Sequence, residues 1–168
     1  MKEQKNYVDE LIKNSILYYN RDSYRMLSKK ERTVVFYTLR KLVKIKTITK
    51  GDLFRSVSLD FNSYVKNKIV DYYKKDKKNY VDNIIGNKDN KWLIRKCPKT
   101  KKQLKSLLNS RHFGRIIDYL NPLLVNLKTT GCSNPGQAHI ISINHRGRKL
   151  WKGWLEYIKS KKNKTKGE

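Results

Sequence analysis

Acidic residues are scarce. The chain carries 14 Asp and Glu against 40 Lys and Arg, a net charge of +26. So lopsided a balance opposes compaction by self-repulsion and points to a polyanionic partner. Nucleic acid is the commonest one, because every phosphate contacted releases a condensed counterion. An acidic membrane surface is the alternative. Lysine outnumbers arginine 30 to 10, and 15 Asn accompany them. An AT-rich genome tends to encode that mixture, so the functional signal is the shortage of acid rather than the preference for lysine.

Other absences narrow the field. Two cysteines, Cys97 and Cys132, are too few for a disulfide framework. With His139 and His145 they supply zinc-ligand types, but no C-x-x-C or paired-His spacing joins them, so no metal is expected. No run approaches the apolar length of a membrane span. The first ten residues, MKEQKNYVDE, are polar and lack the apolar segment of a secretory signal. An intracellular location is the expectation. There is no Gly-rich phosphate loop and no G-x-S-x-G. Asp82 and Asp89 with Lys91 are the nearest thing to a nuclease cluster, yet Asp89 falls in a predicted turn. The chain reads as no enzyme, with no cofactor.

A core is nevertheless affordable. Hydrophobic residues make up 38%, and 11 Tyr, 4 Phe and 3 Trp can each bury a large area. Val8, Leu11, Ile12, Ile16 and Tyr19 recur at helical spacing and predict a helix over Tyr7 to Tyr19. A better one runs from Ser28 to Leu42, where Ser28 and Glu31 form an S-x-x-E capping box. Within Gly51 to Tyr73, Leu53-Phe54 followed by Val57, Leu59 and Phe61 reads as a strand by period two, or as a short helix followed by a second over Asn62 to Tyr73; the helical reading is favoured. A β-hairpin is expected over Tyr80 to Arg95, turning at Gly86 to Asn90. Pro98 is the most plausible boundary.

Beyond Pro98 the pieces are TKKQLKSLL with a T-x-x-Q capping pattern, the break NS, RHFGRIIDYL, PLLVNLKTTG, CSNPGQ, AHIISIN and HRGRKLWKGWLEYI. They read as short helix, second helix, strand, turn, strand and closing helix. Pro122 ends the second helix near Asn121. Asn144 is the expected N-cap of the closing helix, with Gly147 at its third position, where a missing side chain lets helix and sheet approach. Trp151 and Trp154 have core spacing. Residues 100–158 thus resemble a winged helix-turn-helix domain, with one departure: the first helix of that family must come from farther upstream.

The expected fold class is mainly α with small β-hairpins (α+β). Residues 1–97 form a helical region that can itself be read as helix-helix-hairpin. Residues 98–159 form the winged-helix-like unit, and 160–168 a basic disordered tail. The resemblance implies that the helix beginning at Ser110 enters a major groove. Its outer side would present Ser110, Arg111, His112 and Arg115, with Ser110 as cap. Asn134 and Gln137 lie in the implied wing tip. Arg146, Arg148 and Lys149 would hold phosphates without reading sequence. The function implied is sequence-selective or architectural binding of double-stranded DNA, as a regulator or a replication or partition factor. An RNA-binding component of a ribonucleoprotein is the alternative. A homodimer joined through the Tyr7–Tyr19 helix is equally open with packing of that helix on its own domain.

Overall fold

In the computed structural model, residues 27–97, 99–134 and 137–164 are described. The expected helix at Tyr7–Tyr19 lies outside them. The fold is mainly helical with a small antiparallel sheet. Its first helix, α1 (Lys29–Leu42), starts at the predicted capping box: Ser28 Oγ accepts from Glu31 N at 3.2 Å, and Glu31 Oε2 accepts from Ser28 N at 2.9 Å. Val34, Val35, Leu39 and Leu42 form its buried stripe.

Strand β1 (Ile48–Thr49) runs straight into α2 (Lys50–Lys75), whose N-cap is Thr49. The two short helices expected here are one. Leu53, Val57, Phe61 and Val65 are buried at four-residue intervals, while Leu59, which suggested a period of two, is 72% exposed. The i, i+4 stripe wins because it meets α1 along one continuous face.

The next segment departs from expectation twice. Tyr80–Gly86 is a helix, α3, and Lys91–Leu93 a 3₁₀ turn, not a hairpin. Of the 80–85 stretch only Ile84 is buried, so no apolar alternation exists for a strand to use. The hairpin lies further on, between β2 (Ile94–Lys96) and β3 (Gln103–Lys105). The helix expected over Thr100–Leu108 is therefore absent. Cys97 N donates to Lys102 O at 2.7 Å and Lys101 N to Cys97 O at 2.9 Å, closing a turn in which Lys101 takes φ 54°. Thr100 Oγ1 accepts from Lys102 N instead of capping toward Gln103. Backbone groups that a helix would need are spent on the hairpin.

Helix α4 (Ser110–Leu120) follows, capped by Asn109, whose Oδ1 accepts from His112 N at 2.7 Å. Ser110 is its first residue and not its cap. Phe113, Ile116, Ile117 and Leu120 are buried as expected. Strands β4 (Val125–Thr129) and β5 (His139–Ile143) pair from Val125↔Ile143 to Thr129↔His139, and β1 adds to β5 through Ile48↔Ile141 and Thr49↔Ile140. The sheet order is β1-β5-β4.

Helix α5 (His145–Lys164) continues through part of the tail expected to be disordered. It returns to α1, where Phe36 packs at 5.3 Å from the Trp151 ring and 4.9 Å from the Trp154 ring. The apolar cluster contains residues from both sides of Pro98, from Leu27 to Trp154.

The junction into α5 matches its expected chemistry. Asn144 Oδ1 accepts from Gly147 N at 2.9 Å, and its Nδ2 donates to Pro122 O at 2.7 Å. A Cβ on Gly147 would lie 2.3 Å from Leu124 O and 2.7 Å from Ile143 Cγ1. Leu124 O also accepts from Asn144 N at 3.1 Å, so it cannot retreat without breaking the junction. Gly147→Ala is expected to destabilise the protein by about 1–3 kcal/mol through overpacking. Urea denaturation measures this, and an unchanged midpoint would show the contact to be looser than the backbone indicates.

Candidate nucleic-acid interface

Charge is distributed unevenly along the chain. From Asn90 to Leu155 the sequence holds 14 Lys and Arg and a single acid, Asp118. Among the described residues, four of the other acids have structural partners. Glu31 completes a helix cap, Lys41 Nζ lies 3.2 Å from Asp60, and Asp76 accepts from the N–H groups of Lys78 and Asn79. Donors from Asn79 hold the Asp76 carboxyl below the ordinary carboxylate range. Asp52 is held low first by the Thr49 hydroxyl and then by Arg55.

The outer face of α4 lies in the acid-poor half. Burial of Phe113, Ile116 and Ile117 turns Arg111 and Arg115 outward, one turn apart, and both are exposed. Neither side chain has an ion pair or hydrogen bond among the described residues. Asp118 continues the same face, but Lys50 Nζ, from the first residue of α2, stands 3.5 Å from its carboxylate. Lys50 also lies over Gly114, where a Cβ would sit 3.6 Å from its Nζ. The start of α2 is thus fixed beside the middle of α4. Sequence reading missed Lys50; the T-x-x-D cap of Thr49 and Asp52 was the signal that could have placed it.

The remaining expected residues divide. Ser110 is exposed on the first turn of α4. His112 leaves the face: it is half-buried and turned toward α1, with Nε2 3.6 Å from Glu31 Oε1. Asn134 and Gln137 are exposed in the β4–β5 turn, but the turn is closed on itself. Gln137 N donates to Asn134 O at 2.9 Å, and Thr130 Oγ1 donates to Gln137 O at 2.8 Å. Arg146 is half-buried on the first turn of α5, and Arg148 and Lys149 are exposed beside it.

Helix polarity makes these positions informative. Neither α4 nor α5 has an acid in its first turn. Acids there would stabilise the helix, and cations oppose its dipole by a few tenths of a kcal/mol each. Arg111, Arg146 and Arg148 therefore gain little by helix formation.

The residues read against other chemistries are placed as follows among the described residues. Asp82 and Asp89 are both exposed, on α3 and in the following turn. No three of His, Cys, Asp and Glu gather as a metal site among the described residues. No helix among them is long and apolar enough to cross a membrane. A cleft of about 230 Å³ between α1 and α2 is lined by Tyr37, Arg40, Asp60, Tyr64, Lys68 and Asp71. Burial raises both tyrosine pKa values.

One side chain in the hairpin turn is chemically distinctive. The Cys97 thiol is held below its ordinary range, first by the Thr100 side chain, then by backbone N–H groups of Thr100 and Lys99, and by Arg95. Each favours the thiolate, so the nucleophilic form appears at lower pH than in a free cysteine. In a Cys132→Ser background, iodoacetamide alkylation of Cys97 is expected to rise with pH about a midpoint below that of the urea-unfolded chain. Coincident midpoints, followed by intact mass, would show that the turn gives the thiolate no support.

No known protein family, curated protein or solved structure matches this chain, so its functional reading rests on its own geometry and charge.

Proposed function

We propose that the protein binds double-stranded DNA through a winged helix-turn-helix surface in which α4 is the recognition helix. The observation that carries the reading is the outward, unpaired Arg111–Arg115 face of α4 within a stretch holding one acid. Chain order supports it: helix, short strand, helix, then α4 and the two longer strands, with β1 beside β5 rather than β4. In this arrangement α1 supplies the missing first helix and the start of α2 replaces Thr100–Leu108 as the helix before the recognition helix. The turn between β4 and β5 stands in the position of a wing. Arg148 and Lys149 at the start of α5 hold phosphates and set orientation.

Duplex DNA is favoured over RNA on groove shape. A major groove about 12 Å wide admits an α-helix, whereas the A-form RNA groove is deep and too narrow for one. A role in transcription, replication or partition follows from such binding, with Arg111 and Arg115 reading base edges or gripping the groove walls.

Binding is expected to fall steeply with salt. A footprint of about 6–10 phosphates loses roughly 10³–10⁵ in affinity between about 50 and 200 mM. Arg111→Ala and Arg115→Ala should leave the fold intact, since neither belongs to the buried stripe. If an arginine reads a base, its loss costs about 1–3 kcal/mol, chiefly on a selected site. If it touches phosphate, binding weakens evenly and the salt slope falls by about one. Fluorescence anisotropy against duplex DNA and structured RNA at matched salt checks this. Equal binding by both alanine variants and the parent would remove α4 from the interface, and tighter binding to RNA would overturn the DNA assignment.

A further inference from the structure

The β2–β3 hairpin, inserted between α2 and α4, has more charge than the fold can use. Arg95, Lys96 and Lys105 lie on its strands, and Lys99, Lys101 and Lys102 in its turn; all six are exposed. No acid occurs anywhere between Asp89 and Asp118. A two-stranded hairpin alone is marginal in water, and adding like charges makes it worse.

The structure holds it in place nonetheless. Its base is fixed by buried Leu93 and Leu108 and by Ser106, whose N donates to Leu93 O at 2.7 Å. The strand register sets Arg95 opposite Leu104 and Lys96 opposite Gln103, so no two cations face each other directly. The turn is closed by the paired backbone bonds of Cys97. The hairpin thus carries three lysines within four residues at its turn.

The base of the hairpin also has a defined neighbour. Four residues, Ser106 to Asn109, separate β3 from the first turn of α4. Lys30 of α1 reaches Leu107 O at 3.4 Å, while its neighbour Glu31 faces His112 of α4. Arg95 lies near enough to Lys30 to help depress its pKa, after burial. The hairpin therefore rises from the N-terminal end of α4. At a strand rise of about 3.3 Å per residue, its tip can extend roughly 15–20 Å from that base. That exceeds the width of a major groove, about 12 Å.

We propose that the β2–β3 hairpin is a second DNA-contacting element, whose turn lysines Lys99, Lys101 and Lys102 grip backbone phosphates bordering the groove that receives α4. This rests on α4 as the recognition helix and adds a partner surface that a helix and wing alone do not include. The contact reads no bases: lysines on a turn offer point charges, which position the duplex without selecting sequence.

The test is a K99A/K101A/K102A variant of the full chain, beside R111A/R115A and a charge-matched K66A/K74A/K75A control on the exposed surface of α2. Each is titrated against a selected and a random duplex across salt. The hairpin variant should melt like the parent, lose about 2–3 in salt slope, and weaken roughly 10²-fold at about 150 mM on both duplexes. If it binds as the parent does while R111A/R115A is impaired, the hairpin proposal fails and the α4 reading stands. If R111A/R115A binds normally while the hairpin variant is impaired, the α4 reading fails and the hairpin contact stands. Equal losses in the α2 control overturn the hairpin assignment, since net charge alone would explain them. A second readout needs no hairpin substitution. In the Cys132→Ser protein, saturating duplex should slow Cys97 alkylation at least tenfold. An unchanged rate overturns the proposal even if the triple variant fails to fold, as does protection given only by anionic phosphatidylserine vesicles.

Discussion

Self-repulsion among 40 Lys and Arg on a 168-residue chain is the constraint to which the rest of this structure answers. Compaction brings like charges together, so apolar burial must outweigh both chain entropy and electrostatic strain. The response is a cluster that draws on almost every element, including α1, α2, α4, the β1-β5-β4 sheet and the start of α5. Aromatic residues join its parts: Phe54 meets Phe113 at 5.6 Å between α2 and α4, and Phe36 joins α1 to α5. Most described cations are exposed, and half-buried Lys50 and Lys30 each lie beside a specific oxygen.

Acids are used where they support structure. Glu31, Asp52 and Asp76 serve helix starts and a turn through hydrogen bonds, which contribute locally and do not depend on long-range neutralisation. Asp60 pairs with Lys41 on a partly exposed surface, where an ion pair contributes little to stability. None of these groups offsets the field of the second half. The result is a chain whose acids lie mostly before Asn90 and whose later charges are almost wholly basic. That separation is more informative than net charge, because evenly spread cations would weaken folding without marking a binding side.

Legibility followed the locality of the signal. The Ser28–Glu31 box, the stripe of α4, the alternation of β5 and the Asn144/Gly147 junction are encoded within one or two turns. Their sequence reading and structure agree in position. Thr100–Leu108 carried an equally plausible local signal, a T-x-x-Q start and three leucines. It became a strand and a tether because its backbone bonds close against Leu93 and Cys97, partners that no window of that segment contains. The same limit affected the site. Arg111 and Arg115 were placed outward by the buried residues of their own helix. His112 was read as part of that face, and only the position of Glu31 on α1, far away in sequence, turns it aside.

The insertion also explains why the order of elements was difficult to read. Helices α2 and α4 meet in space, with Lys50 beside Gly114 and Asp118, yet α3, the 3₁₀ turn and the β2–β3 hairpin separate them in sequence. The helix-like pattern nearest the strands of the sheet before α4, Thr100–Leu108, lies within that intervening segment. Pairing of β1 with β5 resolves the order by returning the early chain to the late sheet. Once that pairing is made, α1 and the start of α2 are fixed against α4, and the inserted residues must leave through the side of the molecule. The hairpin among them contains no acid. Folding thus turns Arg111 and Arg115 outward through the burial of Phe113, Ile116 and Ile117, and holds the base of the lysine-bearing hairpin through buried Leu93 and Leu108.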